Sequence, residues 1–331
     1  MSTSALGVEF ADAELEESVR ARLAAVEDML RDAVSADDEF VDIAARYLVE
    51  AGGKRFRPLV TTLAAHFGDP SAPEILPAAV VVELTHLATL YHDDVMDEAH
   101  VRRGAISANV RWDNTVAILT GDFLFARASR LLADLGPHAV RVQARTFERL
   151  VTGQIRETVG PRDGADPIEH YLAVVADKTG SLIATAAEFG GYFGGLGAAE
   201  IGALRRFGER IGVAFQLSDD ILDITSESAQ SGKSPGTDLR EGVATLPVLY
   251  AVRSTTPDSA RLRELVSRPL VDGADHAEAL SLLRTSRAVD EARQTLRSCA
   301  DSAAAVLDEL PDVSARTGLE ALVDTVIERT G

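Results

Sequence analysis

The sequence predicts an all-α protein. Apolar residues recur with the period of a helix along nearly the whole chain, and Ala and Leu dominate while aromatic residues make up only 5%. Alternating strand patterns around an Asn-Gly or Asp-Gly turn are missing. No repeat, low-complexity tract or long linker divides the 331 residues. We therefore expect one domain, 1–331, built as a bundle of ten or more helices around a deep central cavity.

The periodic segments can be placed in order along the chain. They predict helices over 12–33, 38–51, 73–98, 111–135, 137–159, 168–190, 198–224, 244–253, 275–283 and 287–309. The main breaks are the Gly- and Pro-containing segments 160–164 and 194–197 and the polar segment 226–242. None of these breaks is long enough to act as a linker between domains, which favours a single domain.

Charge and cysteine content exclude several classes of function. The formal net charge is −19, and so acidic a protein is not expected to bind nucleic acid. Its single cysteine, Cys299, fits a reducing compartment. The N-terminus lacks the basic start of a signal peptide. The sequence contains no run of about 18 uninterrupted apolar residues, so it predicts no transmembrane segment. We expect a cytoplasmic protein.

A cluster of aspartates ends the predicted helix 73–98. Asp93 and Asp97 lie one helical turn apart and face the same way, so their like charges destabilise the helix unless a cation lies between them. Carboxylate oxygens without His or Cys suit a hard ion such as Mg²⁺. Taken alone, this cluster is equally well explained as a solvated helix end.

A second cluster repeats the pattern at the end of the predicted helix 198–224. Asp219, Asp220 and Asp223 have the same spacing as Asp93, Asp94 and Asp97. Two such clusters, facing each other across a cavity, would hold magnesium ions around a diphosphate and neutralise the charge that develops as it leaves. The repetition therefore favours a metal site over a solvated helix end.

Basic residues occur where a second phosphate group would need them. Lys54 and Arg57 lie in a glycine-hinged turn before a helix, and Arg102 and Arg103 closely follow the first cluster. Each pair alone is equally consistent with an exposed basic loop. His86 precedes Asp93 by seven residues, about two helical turns, so it shares the face of the metal site.

Six segments together resemble the trans-isoprenyl diphosphate synthases, also called polyprenyl synthetases. They read GGKRFRP, HDDVMDEAHVRRG, GDFLFARA, DKTGSL, FQLSDDILD and GKSPGTDLREG, in the order and spacing of the family. The resemblance implies the isoprenoid synthase fold and a homodimer. It also implies an enzyme that uses three Mg²⁺ ions to condense an allylic diphosphate with isopentenyl diphosphate.

The resemblance assigns a role to individual residues. Asp93, Asp97 and Asp219 would bind the metal directly, with Asp94 and Asp223 in support. The residues implied for isopentenyl diphosphate are Lys54, Arg57, His86 and Arg103. Those implied for the allylic diphosphate are Arg102, Lys178, Thr179, Gln216 and Lys233. Catalysis would rest on the three metal-binding aspartates with Lys178 and Arg102.

One position departs from the family, and two other functions compete. Val243 stands where the family commonly has a lysine, which puts one allylic contact in doubt. A terpene cyclase also ionises a prenyl diphosphate, but it needs no site for isopentenyl diphosphate. A non-catalytic partner subunit of a synthase should have lost its acidic clusters, whereas this chain keeps both.

The residues before the first cluster bear on product length. Family members with short products carry bulky aromatics at the fourth and fifth positions before the cluster, whereas this chain has Thr89 and Ala88, with Thr85 one turn further. Ala88 lies about 7.5 Å along the helix from Asp93. The cavity floor would then lie deeper, near residues 123–125. We expect a long-chain product of the kind used for quinone side chains; the alternative is a geranylgeranyl or farnesyl diphosphate synthase.

Overall fold

The computed structural model describes residues 7–226, 235–255, 259–268, 270 and 273–330. The longer helices are α1 (Ala13–Val34), α2 (Glu39–Glu50), α3 (Phe56–Ala65), α4 (Ile75–Met96), α6 (Asn114–Leu135), α7 (Pro137–Val159), α8 (Pro167–Val175), α9 (Ser181–Phe193), α10 (Ala198–Thr225), α12 (Leu246–Arg253), α14 (Ala274–Arg284), α15 (Arg287–Leu307) and α16 (Ser314–Glu328). Short helices are α5 (Ala108–Arg111), α11 (Thr237–Glu241) and α13 (Ala260–Leu265). Two strands, β1 (Val101–Arg102) and β2 (Ala105–Ile106), pair antiparallel. The all-α prediction is confirmed.

The chain forms two compact units, each made of separated segments. Unit 1 contains Met1–Glu148, Leu182–Gly208 and Ala305–Leu322. Unit 2 contains Arg149–Ser181, Glu209–Ala304 and Val323–Gly331. Neither unit is one continuous stretch, and a single domain over 1–331 stays a prediction.

Unit 1 is organised around α4. This helix is apolar almost all round, and it packs against α1, α3 and α6. Its core residues include Leu84, Leu87 and Tyr91, which pack with Leu124 of α6. By length and composition α4 could cross a membrane, but 67% of its most apolar window is buried inside the protein, as in the core helix of a globular domain. Its last turn carries the first aspartate cluster.

Unit 2 has its own apolar core. Ile224 at the end of α10 packs with Leu239 of α11, Val248 of α12 and Leu283 of α14. These buried side chains hold the segment that follows the second aspartate cluster against three further helices. The end of α10 is therefore fixed by packing on its apolar side, and its aspartates lie on the remaining sides.

Several elements differ from the sequence prediction. The helix predicted over 168–190 is α8 and α9, joined by a π-helical turn, Ala176–Gly180. Helices α3, α11, α13 and α16 lie outside the predicted segments. The hairpin was also missed, because strands of two residues are too short for an alternating pattern. Its turn residues, Arg103 (φ 53°) and Gly104 (φ 78°), both adopt the left-handed conformation that a tight hairpin requires.

Candidate active site

The hairpin brings Arg102 to the first aspartate cluster. The Arg102 Nε donates to Oδ1 of Asp94 at 2.6 Å, and its Nη2 lies 3.8 Å from Oδ2 of Asp97. The Asp94 side chain is fully buried. Burial lowers the pKa of Arg102, but Asp94, Asp93 and Asp97 raise it more strongly, so on balance the pKa is raised. Arg102 therefore stays positively charged beside three carboxylates.

The first cluster has the chemistry of a magnesium site that a phosphate ligand would complete. Asp93 is half-buried and Asp97 is exposed, and Oδ2 of Asp94 is buried without a hydrogen-bond partner. Within the described residues, no group of three or more His, Cys, Asp or Glu side chains forms a ready metal cage. Magnesium is commonly held by one or two carboxylates together with substrate phosphates, so these residues fit it.

A buried glutamate organises the neighbouring basic residues. Glu83 of α4, 1% exposed, accepts from Nη1 of Arg55 at 2.9 Å and lies 3.7 Å from Nη2 of Arg103. The Arg103 Nη1 also donates to the Leu48 carbonyl at 3.0 Å. A Cβ at position 53 would lie 2.9 Å from the Arg103 guanidinium carbon, so Gly53 lets this side chain pack against the turn. Arg55 and Glu83 thus position the predicted phosphate-binding residues.

His86 lies among these arginines. Burial lowers the pKa of its imidazole well below the usual range, and the positive charges of Arg57, Arg103 and Arg102 lower it further. The ring is therefore neutral, and it can donate or accept one hydrogen bond without adding charge. His86 thus lies near enough to Arg57 and Arg103 to feel their charges, and a shared phosphate-binding role for the three stays a prediction.

A cavity of about 450 Å³ lies beside α4 in unit 1. Its wall contains Thr85 and His92 of α4, Phe125 of α6, and Gln143 and Phe147 of α7. A Cβ at position 121 would lie 2.4 Å from Nε2 of His92, so Gly121 allows the ring to pack against α6. On α4 the cavity borders His92, the residue before Asp93, and extends to Thr85, toward the N-terminal end of the helix.

Of the three positions predicted to control product length, Thr85 lines this cavity and the other two do not. Ala88 is fully buried in the core with Leu84 and Leu124, and the Thr89 hydroxyl donates to the His86 carbonyl at 2.8 Å. Thr85 accepts a hydrogen bond from Nε2 of Gln143 at 2.8 Å. Ala88 thus packs between helices, Thr85 borders the cavity, and control of product length by the three positions stays a prediction.

The second cluster, in unit 2, has a different environment. Asp220 is 6% exposed and accepts hydrogen bonds from the Tyr171 hydroxyl and from Nε2 of Gln216, the latter at 2.8 Å. Burial, with the charges of Asp219 and Asp223, raises the pKa of Asp220 to about 7. Burial likewise raises the pKa of Tyr171 well above its usual range. Asp220 is thus held by neutral partners.

Asp223 fixes the segment that follows the cluster. Its two carboxylate oxygens accept from the backbone N–H groups of Thr237 and Asp238, each at 3.1 Å, at the start of α11. Val243 follows α11 and donates its backbone N–H to the Asp238 carbonyl at 2.8 Å. Its side chain is 38% exposed. Lys233, predicted to contact the allylic diphosphate, lies outside the described residues.

The π-helical turn carries two further predicted residues. The Thr179 hydroxyl donates to Oε1 of Gln216 at 3.0 Å, which links the turn to the second cluster. Lys178 pairs with Glu157 of α7. A Cβ at position 153 would lie 3.0 Å from the Lys178 backbone nitrogen, so Gly153 permits the close approach of α7 to this turn. Single π-helical turns are frequent at functional sites, because the extra residue changes the direction of side chains.

The Polyprenyl synthetase family model matches residues 38–283 of this chain. The chain belongs to the polyprenyl synthetase family. The match includes both aspartate clusters, the turn with Lys54 and Arg57, and the π-helical turn. The prediction of the family is therefore confirmed.

Individual relatives cover the chain from end to end. The nonaprenyl diphosphate synthase of Mycobacterium tuberculosis is 52% identical over 331 residues, which is 100% of this chain and 99% of the relative. A crystal structure of geranylgeranyl pyrophosphate synthase from Corynebacterium glutamicum, complexed with calcium and isoprenyl diphosphate, is 48% identical with a TM-score of 0.87, covering 98% of this chain and 100% of that one. A decaprenyl diphosphate synthase structure from Rhodobacter capsulatus is 34% identical with a TM-score of 0.85, covering 96% and 99%. These polyprenyl synthetases share the fold.

Sequence reasoning missed four residues that position the site. Arg55 and Glu83 hold the basic turn, Tyr171 holds Asp220, and Arg329 contacts Asp219. Glu83 carried a signal, since a lone acid within an apolar helix requires a buried positive partner. Arg329 carried none, because nothing in its sequence context connects the C-terminus with residue 219.

Proposed function

We propose that this protein is a magnesium-dependent trans-polyprenyl diphosphate synthase that extends an allylic diphosphate with isopentenyl diphosphate. The observation that carries the proposal is in unit 1, where a carboxylate cluster and a separate set of arginines occur together. Asp93 and Asp97 provide oxygens for a metal, and Arg57, Arg103 and the neutral His86 provide donors for a phosphate that the metal does not hold. Two anionic substrates need both kinds of site.

We propose a role for each of these side chains, supported by the contacts described above. Asp93, Asp97 and Asp219 bind magnesium, with three ions expected in all, and Asp94 keeps Arg102 in place. When bound, magnesium neutralises the allylic diphosphate and favours its departure. Arg102, Lys178, Thr179 and Gln216 hold that diphosphate. Lys54, Arg57, His86 and Arg103 orient isopentenyl diphosphate so that its double bond attacks the allylic carbon as the leaving group departs. The proton that the resulting carbocation loses passes to the departing diphosphate.

The two competing functions are less consistent with these contacts. A terpene cyclase has no second diphosphate to bind, so it would not need the arrangement of Arg55, Glu83 and Arg103. A non-catalytic subunit would not need Arg102 to be held between Asp94 and Asp97. Purified protein with magnesium, farnesyl diphosphate and labelled isopentenyl diphosphate separates the three functions. Chain elongation is expected; cyclised product from farnesyl diphosphate alone, or no turnover, would contradict the proposal.

The product is proposed to be a long-chain polyprenyl diphosphate. The fourth and fifth positions before Asp93 carry Thr89 and Ala88 rather than bulky aromatics, and the 52% identical relative makes nonaprenyl diphosphate by its name. Thr85→Phe should shorten the product without abolishing condensation, since the ring would fill the cavity. Ala88→Phe should instead overpack the core, at a cost of about 1–3 kcal/mol. Product chromatography decides, and a wild-type product of geranylgeranyl length would contradict the open cavity.

A homodimer is proposed from the apolar surface of unit 1. Leu119 of α6 is 60% exposed, and Ile118, Val140 and Phe147 are also exposed. Light scattering of the purified protein should give twice the monomer mass, and Leu119→Arg should lower it. A cytoplasmic location is proposed from the single cysteine; cell fractionation tests it.

A further inference from the structure

Residues near the C-terminus belong to unit 2 and are held there by hydrogen bonds. The Thr330 side chain donates to the Ile327 carbonyl at 3.0 Å, and Nε of Arg293 donates to the Thr330 carbonyl at 3.0 Å. Thr330 is 5% exposed. Residues 327–330 therefore have a defined position, and so has the Arg329 side chain between these contacts.

The Arg329 side chain lies at the second aspartate cluster. Nη2 of Arg329 donates to Oδ1 of Asp219, and the guanidinium carbon lies 5.1 Å from the centre of the Phe215 ring. The side chain is only 19% exposed. Its Nη1 is buried and has no hydrogen-bond partner among the described residues. Arg329 is thus held by a carboxylate and an aromatic ring while one of its donor groups lacks an acceptor.

The contact conflicts with metal binding at Asp219. The guanidinium occupies one oxygen of Asp219, and its positive charge repels an approaching Mg²⁺, so the two cations compete for this carboxylate. The stacking on Phe215 does not depend on Asp219, so it can keep the guanidinium nearby after the carboxylate is lost. A phosphate oxygen arriving with the metal would be an acceptor both for Nη2 and for the unsatisfied Nη1.

We propose that Arg329 is a phosphate-binding residue that exchanges partners. In the metal-free protein it neutralises Asp219, and when metal and diphosphate bind, it transfers to the diphosphate. This inference rests on the proposed function, because it takes Asp219 as a metal ligand. It assigns Arg329 two opposed effects: it weakens the binding of metal alone, and it strengthens the binding of diphosphate in the presence of metal.

The opposed effects can be measured by calorimetry without turnover. Arg329→Gln should bind Mg²⁺ alone more tightly than wild type, by about threefold or more, since Asp219 loses a competing cation. The same variant should bind inorganic diphosphate, in saturating Mg²⁺, about tenfold more weakly, as expected for one charged hydrogen-bonded contact. Arg329→Lys, which keeps the charge but loses the fork, should lie between the two proteins in both titrations.

The control is Arg316→Gln in α16, the helix that ends just before Arg329. Arg316 pairs with Asp308 and Glu320 in unit 1, and its loss should leave both titrations unchanged. If both affinities fall together in Arg329→Gln, or neither changes, the exchange is wrong. If the wild type fails to condense the substrates but Arg329→Gln still shows the opposed shifts relative to it, the proposed function fails and the exchange stands. Circular dichroism establishes that each variant folds; if Arg329→Gln does not, Arg329→Lys alone must show both shifts.

Discussion

The two aspartate clusters have one sequence pattern and two environments. In the first, the middle residue, Asp94, is fully buried against the charged Arg102. In the second, the middle residue, Asp220, is buried against a tyrosine and a glutamine, and its pKa is raised to about 7. The middle aspartate of the first cluster is therefore balanced by an ion pair, and that of the second by neutral hydrogen-bond donors.

The outer residues differ as well. Asp97 is exposed beside Arg102, whereas Asp223 holds two backbone N–H groups at the start of α11. The residue that opens each cluster, Asp93 or Asp219, is partly exposed. Equal spacing in sequence therefore does not give equal roles. In each cluster the middle aspartate is buried as part of the scaffold, whereas the opening and last aspartates are at least partly exposed.

The largest effect is expected from the opening aspartates. Asp93→Asn and Asp219→Asn should each lower turnover about a thousandfold, since each removes a ligand of the ions that stabilise the leaving diphosphate. Helicity should be unchanged. Steady-state kinetics with circular dichroism test this, and the exposed Asp134→Asn and Asp301→Asn serve as controls. Turnover near the wild-type value in either site variant would remove that cluster from the catalytic site.

Substitutions of the two middle aspartates should lower the free energy of unfolding by different amounts. Asp94→Asn leaves Arg102 beside a neutral partner in a largely buried place and should cost about 3 kcal/mol. Asp220→Asn keeps a neutral polar group between Tyr171 and Gln216 and should cost about 1 kcal/mol or less. Urea unfolding of the two variants measures the difference. Equal losses would mean that the two scaffolds are equivalent despite their different partners.

Substitutions in the two units should affect the KM of different substrates. Arg57→Gln in unit 1 should raise KM for isopentenyl diphosphate about tenfold, and Lys178→Gln in unit 2 should do the same for the allylic substrate. Two-substrate kinetics give both constants. Exposed Arg141→Gln and Arg162→Gln test whether loss of positive charge alone has an effect. The reverse division would mean that the two diphosphate pockets are interchanged.

The sequence predicts much of this arrangement, but not all of it. Helix 137–159 is correct to the residue, since strong periodicity and Pro137 define it. The π-helical turn interrupts 168–190 without any break in apolar periodicity, so local pattern could not reveal it. Motif spacing located Asp93 and Asp219, whereas the contact between Arg329 and Asp219 joins residues 110 positions apart and depends on tertiary packing.

The smallest effect is expected at Val243, where the family commonly has a lysine. The Val243 backbone N–H donates to the Asp238 carbonyl, and the Asp238 N–H donates to the Asp223 carboxylate. Two hydrogen bonds therefore connect this position with the second cluster. If Arg329 already supplies the positive charge that the diphosphate needs there, Val243→Lys should improve the KM of the allylic substrate only about twofold. This is near the value of one solvent-exposed charge contact.

The same substitution in an Arg329→Gln background sharpens the comparison. A lysine should then compensate for the missing guanidinium, so the gain should rise to about fivefold, and the non-additivity measures the coupling between the two positions. Val243→Gln is the matched control, since it adds length and polarity without charge. Equal gains in both backgrounds would mean that the two residues act independently. A loss in either background would mean that the exposed valine has a packing role in the segment after α11.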